Sequence, residues 1–222
     1  MIKAIIFDMD GLMIDSEMIS YKCYKAILSQ FGYSFTLNEY IQDYPGRPLI
    51  ASLEFINKKY HLNYDIQEQL ENFHQLEYQM IEKEGVPLKE GLLELLHYLK
   101  KNHYLTVIAS SSHQERAEKL LESHNILQYF DSAVYGKDVK KGKPFPDIFL
   151  KACEKLQIKT SEALVLEDSE AGIQAAYDAQ IPVICIPDLK YPQEEYINKT
   201  EIILQSLKEV IPYLGSVSRV ED

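Results

Sequence analysis

This chain of 222 residues has few cysteines, no net positive charge and no long apolar segment. Each of these absences argues against a class of protein. The three cysteines (Cys23, Cys153 and Cys185) lie far apart without Cys-x-x-Cys spacing, so neither a disulfide framework nor a zinc site is expected. The net charge of −11 disfavours nucleic-acid binding, which depends on neutralising phosphates with Lys and Arg. No stretch could span a membrane, and the apolar run near Met1 is too short for a signal peptide. We expect a cytoplasmic protein with no nucleic-acid or membrane partner.

Five short apolar runs are typical of strands buried on both faces. They occupy residues 3–7, 104–110, 132–136, 163–168 and 183–187. Helical patterns lie between them; one helix would enter through Pro146, and another would begin with a capping box of Ser112 and Glu115. Strands that alternate with helices imply right-handed crossovers and a parallel sheet. We therefore predict an α/β fold, with a doubly wound parallel sheet that forms a Rossmann-like core.

Residues 16–86 interrupt this alternation, because they contain helical patterns and no convincing buried strand. The segments YPGRPL and KEGVP, rich in Pro and Gly, punctuate these helical patterns. We therefore predict a helical domain inserted after the first strand. The predicted core comprises residues 1–15 and 87–215, the inserted domain residues 16–86, and a polar tail residues 216–222.

Chemically active side chains follow several predicted strands at the point where each strand ends. They are Asp8 and Asp10 after the first strand, Ser110, Ser111 and Ser112 after the second, Lys143 on the loop after the third, and Glu167 and Asp168 after the fourth. Any one of them alone would most simply be a turn residue, a helix cap or a solvated charge. Together they lie at one edge of the predicted sheet, where open α/β sheets bind ligands.

Acids, hydroxyls and a lysine in one place suit phosphate chemistry. Carboxylate oxygens form the hard ligand set that Mg²⁺ prefers, and Mg²⁺ commonly shares itself with a substrate phosphate. A lysine supplies a second positive charge, while a hydroxyl and loop N–H groups can hold phosphoryl oxygens. A carboxylate can also attack phosphorus and form an aspartyl-phosphate. The residues therefore predict a nucleophile at one aspartate of the first pair and a proton donor at the other.

Four segments resemble the four motifs of the haloacid dehalogenase superfamily of phosphotransferases, in that family's order. They are FDMDG, the serine after TVIA, the lysine of GKPFPD and the acids of LVLEDSEAGIQAA. The similarity spans the predicted core from Lys3 to about Pro187. The inserted helical domain resembles the mobile cap of the branch that contains sugar phosphatases and β-phosphoglucomutase.

The resemblance implies a role for each core residue. Asp8 would be the nucleophile, and Asp10 the general acid and then the base for the attacking water. Ser110, with Ser111 beside it, would bind the transferring phosphoryl group, while Lys143 would balance charge at the aspartyl-phosphate. We therefore expect a phosphatase that acts on a small phosphorylated metabolite such as a sugar phosphate.

The resemblance also implies a Mg²⁺ cofactor and a substrate contact in the cap. The implied metal residues are Asp8, Asp10 through its carbonyl oxygen, Asp168 directly, and Glu167 directly or through a metal-bound water. Gly46 matches the substrate-facing loop of the cap, and Arg47 lies beside it. Arg47 could equally be a solvated loop charge.

Two other functions remain open. The mutases of this branch have a cap histidine ten residues after the general acid and an arginine three residues after the loop glycine. Here Ser20 and Leu49 occupy those positions, which favours hydrolysis over a β-phosphoglucomutase-type reaction. Dehalogenases of the superfamily lack the second aspartate, so Asp10 argues against them. The second alternative is a non-catalytic phosphate-binding protein or a phosphoacceptor signalling domain, although such signalling domains lack an acid at the position of Asp10.

Overall fold

The computed structural model describes residues 1–45 and 47–217. Gly46, predicted to contact substrate, and residues 218–222, most of the predicted tail, lie outside the described residues. The chain divides into two compact units. Met1–Ile14 together with Leu88–Asp222 form the first, called here the core unit, and Asp15–Pro87 form the second, called here the helical unit.

Helices occur in both units. The helices of the helical unit are α1 (Glu17–Gln30), α2 (Leu37–Asp43), α3 (Leu49–Lys59) and α4 (Ile66–Glu84). The helices of the core unit are α5 (Leu92–Lys101), α6 (Gln114–Ser123), α7 (Asp147–Leu156), α8 (Glu170–Asp178), α9 (Glu194–Ile197) and α10 (Val210–Val217). Across the described ranges, none of these helices is both long enough and apolar enough to cross a bilayer.

The core unit is built on a six-stranded parallel sheet. Its strands are β1 (Ala4–Phe7), β2 (Leu105–Ser110), β3 (Ser132–Tyr135), β4 (Ala163–Glu167), β5 (Val183–Cys185) and β6 (Ile202–Ile203). They lie in the order β3-β2-β1-β4-β5-β6, so the chain winds outward from β1 in both directions. The predicted doubly wound α/β fold is confirmed. The sixth strand was not predicted, because two residues are too few to show a periodic pattern.

Burial explains why several strands and longer helices of the core unit can be recognised from the sequence. All four residues of β1 and the first four of β4 are both apolar and buried, which is why these strands read as continuous apolar runs. Leu92, Leu95, Leu96 and Leu99 form the buried stripe of α5, at the spacing of a helix with one face against a core.

The predicted start of α6 is wrong. This helix begins at Gln114 with His113 as its N-cap residue, and no side chain forms a cap hydrogen bond. The hydroxyl of Ser112, predicted to cap it, donates instead to the Asp10 carboxylate at 2.7 Å. A charged acceptor from another part of the chain competes successfully with the local backbone for this donor.

The helical unit has an aromatic interior. Tyr24, Tyr40, Tyr44 and Phe73 are all buried. The ring centroids of Tyr24 and Phe73 lie 5.0 Å apart, and those of the stacked pair Tyr40 and Tyr44 lie 5.7 Å apart. These spacings fall in the range at which aromatic rings attract one another beyond simple burial.

Candidate active site

The central position of β1 in the sheet brings three strand ends together. Strand β1 lies between β2 and β4, so the loops that follow these three strands emerge side by side at the carboxyl edge. The backbone N–H of Asp8, the first residue after β1, donates to the carbonyl of Leu166 in β4 at 3.1 Å. This edge, beside the point where the winding direction reverses, is where open parallel sheets bind ligands.

Lys143 joins two of these strand ends. Its ammonium, carried by the loop after β3, donates to the carboxylates of both Asp8 and Glu167. Asp8 is 7% exposed and Glu167 is 0% exposed, and the Lys143 side chain is 7% exposed. Buried charges are costly unless they are paired. This triad is therefore a paired, charged cluster within an otherwise apolar unit.

Burial and charge together set the pKa values of the triad. Burial raises the pKa of Asp8 to about 7, although the Lys143 ammonium lowers it and the Glu167 carboxylate raises it further. Burial disfavours the charged form of Lys143, but the two carboxylates outweigh this and raise the pKa of the ammonium above its usual value. Lys143 is therefore a permanent cation, while Asp8 ionises more easily if a further positive charge is nearby.

Three carboxylates are placed where they could hold a cation. One oxygen each of Asp8, Glu167 and Asp168 can be chosen so that all three lie within 4.8 Å of one another. Two of these carboxylates, those of Asp8 and Glu167, pair with the Lys143 ammonium. Three hard carboxylate groups in one place fit a small divalent cation such as Mg²⁺.

The start of α8 orients Glu167. One oxygen of its carboxylate accepts hydrogen bonds from the backbone N–H of Asp168, the backbone N–H of Ser169 and the Ser169 hydroxyl, each at 2.9 Å. Gly172 lies directly against this carboxylate, and a Cβ atom at Gly172 would overlap it. We did not single out Gly172 from the sequence, although a glycine inside a helical pattern often has a packing reason.

Gly11 makes a similar close approach on the other side of the cluster. Its φ is +84°, a left-handed conformation that favours glycine, and a Cβ atom there would overlap the Asp168 carboxylate. The glycine of the FDMDG segment thus leaves room for the carboxylate of Asp168, the first residue after β4.

The Asp10 carboxylate has different partners from that of Asp8. It accepts a hydrogen bond from the Ser112 hydroxyl at 2.7 Å and another from Arg116 Nη1 at 3.0 Å. Arg116 lies on α6 and was not predicted from the sequence. The signal that the sequence offers is its position four residues after Ser112. The two aspartates therefore have separate environments although they are two residues apart.

The serines at the end of β2 differ from one another. Ser110 is buried, and its hydroxyl oxygen accepts from the backbone N–H of Ser112 at 3.1 Å. Ser111 is exposed. Arg47 belongs to the helical unit, where its guanidinium lies 4.2 Å from the centre of the Phe55 ring.

The chain is similar to several named proteins over most of its length. A family model described as haloacid dehalogenase-like hydrolase matches residues 5–186. A phosphorylated carbohydrates phosphatase of Thermotoga maritima is 33% identical, over 94% of this chain and 100% of the relative. A β-phosphoglucomutase of Bacillus subtilis is 32% identical over 80% of both chains. A validoxylamine A 7'-phosphate phosphatase of Streptomyces hygroscopicus is 26% identical, over 97% of this chain and 99% of the relative.

Solved structures share the fold over nearly the whole chain. The crystal structure of a HAD hydrolase, family IA, variant 3, from Entamoeba histolytica superimposes with a TM-score of 0.81 at 26% identity, covering 94% of this chain and 95% of that one. The structure of CbbY from Rhodobacter sphaeroides in complex with phosphate gives a TM-score of 0.78 at 22% identity, covering 95% and 96%.

Proposed function

This chain belongs to the haloacid dehalogenase-like hydrolase family, and we propose that it is a Mg²⁺-dependent phosphatase that hydrolyses a small phosphorylated metabolite through an aspartyl-phosphate. The observation that carries the proposal is the buried triad of Asp8, Lys143 and Glu167 at the carboxyl edge of the sheet. A buried carboxylate paired with a permanent cation is suited to attack an anionic phosphoryl group, because the ammonium offsets the repulsion between them.

The first half of the proposed reaction transfers the phosphoryl group to the enzyme. A carboxylate oxygen of Asp8 attacks phosphorus, and the bond between phosphorus and the leaving oxygen breaks. Asp10 gives its proton to that oxygen, so the product leaves as a neutral alcohol. Ser110 and Ser111 hold the phosphoryl oxygens, and Lys143 balances the charge of the aspartyl-phosphate.

The second half returns the enzyme to its starting state. Asp10, now a carboxylate, takes a proton from a water whose oxygen attacks phosphorus. The bond between phosphorus and Asp8 breaks, which releases inorganic phosphate and restores both aspartates. Separate surroundings for Asp8 and Asp10 suit this division of roles, since the nucleophile must stay ionised while its neighbour exchanges a proton.

The acidic cluster is the proposed metal site. Asp8 and Asp168 would hold Mg²⁺ with their carboxylates, Asp10 with its carbonyl oxygen, and Glu167 directly or through a water. When bound, the ion neutralises charge between the nucleophile and the incoming phosphate.

The substrate class is inferred from the named relatives. Two of those described above are named as phosphatases of phosphorylated carbohydrates or of validoxylamine A 7'-phosphate, and the third as a phosphoglucomutase. A sugar phosphate or a similarly small phosphorylated metabolite is therefore the proposed substrate. Gly46 and Arg47 of the helical unit are the proposed substrate contacts in the cap.

The mutase relative supports one alternative, a β-phosphoglucomutase-type reaction. A mutase must hold a sugar bisphosphate in two orientations and protect the aspartyl-phosphate from water. Ser20 and Leu49 carry neither a cation nor a proton-exchanging ring at the two cap positions that matter, so hydrolysis is favoured.

One experiment separates the two reactions. The enzyme is given β-glucose 1-phosphate with a trace of the 1,6-bisphosphate, and both glucose 6-phosphate and free phosphate are followed. We expect free phosphate to accumulate faster. Glucose 6-phosphate accumulating faster than phosphate would overturn the phosphatase proposal. A parallel screen of phosphorylated metabolites for phosphate release identifies the substrate.

A further inference from the structure

The Asp10 carboxylate is held by hydrogen bonds from Ser112 and Arg116. Ser112 Oγ donates to Oδ2 at 2.7 Å, and Arg116 Nη1 donates to Oδ1 at 3.0 Å. Arg116 Nη1 also donates to Ser112 Oγ at 3.0 Å, so each member of the set contacts the other two. Both oxygens of the carboxylate therefore have a fixed partner.

The same set is tied to the loop proposed to bind the phosphoryl group. The backbone N–H of Ser112 donates to Ser110 Oγ at 3.1 Å, and Ser110 is the first proposed phosphoryl contact. Arg116 lies in the first turn of α6 and Ser112 just before the N-cap residue of that helix, so both donors to Asp10 come from one segment. Asp10 is thus oriented relative to the phosphoryl loop rather than left free on its own turn.

We propose that Arg116 is a positioning residue that acts through Asp10, holding the carboxyl group so that it meets the leaving oxygen of the substrate. This inference rests on the proposed function, in which Asp10 is the general acid and base. Arg116 donates to Asp10 and to Ser112, so its removal would act on catalysis by releasing the carboxyl group. A displacement of about 1 Å in a reacting group can cost roughly 10²-fold in rate.

A purely structural ion pair makes a different prediction. The side chains of Arg116 and Asp10 are 24% and 28% exposed, and pairs exposed to this extent contribute little to stability. Loss of such a pair would affect every substrate equally. Loss of a positioned acid affects most strongly the substrate whose leaving group needs a proton.

Two aryl esters of similar size test this difference. The leaving group of p-nitrophenyl phosphate departs readily without a proton, whereas that of phenyl phosphate depends on the acid. We measure kcat/KM for both esters, because this ratio reports the steps up to formation of the aspartyl-phosphate. Arg116→Met keeps an unbranched apolar stem and removes the donors, and Lys119→Met is the matched control, an exposed residue on the same helix.

The expected result is a selective loss. Arg116→Met should lower kcat/KM for phenyl phosphate by roughly 10- to 100-fold and for p-nitrophenyl phosphate by no more than about threefold. Asp10→Asn should show the same selectivity with a loss of ~10²–10⁴-fold on phenyl phosphate. The double variant should fall no lower than Asp10→Asn alone, since both changes act on one group. Lys119→Met should leave both ratios unchanged, and Arg116→Lys, which keeps one charged donor, should lie between wild type and Arg116→Met.

Each contrary result has its own meaning. An equal loss on both esters, or no loss on either, in a folded Arg116→Met protein would overturn the positioning role while leaving the proposed function standing. Turnover by Asp8→Asn would overturn the proposed function itself. Thermal unfolding of each variant shows which proteins are folded, and Arg116→Lys supplies the readout if Arg116→Met does not fold.

Discussion

The core unit and the helical unit fill their interiors with different kinds of side chain. The core is lined by aliphatic and small residues, with its buried charges gathered at one edge of the sheet. The helical unit adds a cluster of tyrosine and phenylalanine rings to its aliphatic side chains, and the tyrosines bring hydroxyl groups into its interior. Tyr40 donates to the Glu17 carboxylate, and Tyr64 donates to the carbonyl of Leu53 at 2.6 Å.

The backbone accounts for this difference. A parallel sheet satisfies its own polar groups and buries both faces, so its interior needs side chains without polar atoms. Polar chemistry can then be concentrated where the strands end. Four helices without a sheet bury large rings here, and a buried phenol such as that of Tyr40 takes a hydrogen-bond partner. The core therefore separates packing from polar chemistry, while the helical unit mixes the two.

The strongest test of this separation removes the proposed nucleophile. Asp8→Asn should abolish phosphate release, a loss of roughly 10⁴-fold or more, because an amide does not attack phosphorus at a useful rate. The fold should survive, since an amide of the same size can still accept from Lys143. Phosphate release from a screened substrate and circular dichroism are the two measurements. Retained turnover in a clean preparation would remove Asp8 from this role.

Removing the metal should have the next largest effect. We expect activity to disappear in excess chelator. Asp168→Asn should also lower activity strongly. In both cases the cluster lacks the cation that would separate the carboxylates from the substrate phosphate. Calcium should inhibit, since its looser coordination relaxes the geometry that Mg²⁺ imposes.

Binding can be followed without activity. Mg²⁺ at about 100 times its Kd should stabilise the folded protein by ~2.7 kcal/mol, and Asp168→Asn should reduce this shift. Glu54→Gln, an exposed acid of the helical unit, serves as the control and should leave the shift unchanged. Equal shifts in both variants would place the cation elsewhere.

Deleting one buried ring in each unit compares how much stability each interior loses and where protection from hydrogen exchange is lost. Phe149→Ala in the core and Phe73→Ala in the helical unit should each cost about 3–5 kcal/mol, because each ring is almost fully buried. Hydrogen exchange should locate the loss of protection in the unit that carries the substitution. Loss spread evenly over both units in either variant would show that they do not behave as separate units.

The smallest expected effect concerns the phenols of the helical unit. Burial and the neighbouring Glu17 raise the pKa of Tyr40, so its hydroxyl remains a donor. Tyr40→Phe should lower the free energy of unfolding by about 1–3 kcal/mol through loss of that bond. Tyr33→Phe, on an exposed ring, should change it by no more than ~0.5 kcal/mol. Similar values for the two variants in thermal unfolding would mean that the buried bond contributes nothing special.

Much of the core could be predicted because its patterns are local. Strands β1, β4 and β5 are buried throughout, and α5 shows its buried face at helical spacing. Two failures have the same cause. Strand β6 is too short to show a pattern, and the Ser112 hydroxyl is occupied by an acceptor that no local pattern reveals.

The sequence by itself determined which elements form and which chemical groups follow the strand ends, because burial and backbone geometry act over a few neighbouring residues. Only the tertiary structure decided which of these groups meet. Lys143 reaches Asp8 across 135 positions, and Arg116 reaches Asp10 across 106. The order of strands and the placement of α6 bring them together, and these depend on packing of the whole sheet. The role of Arg116 as a donor to Asp10 is therefore seen only in the three-dimensional structure. The same holds for Gly172, which leaves space for the Glu167 carboxylate.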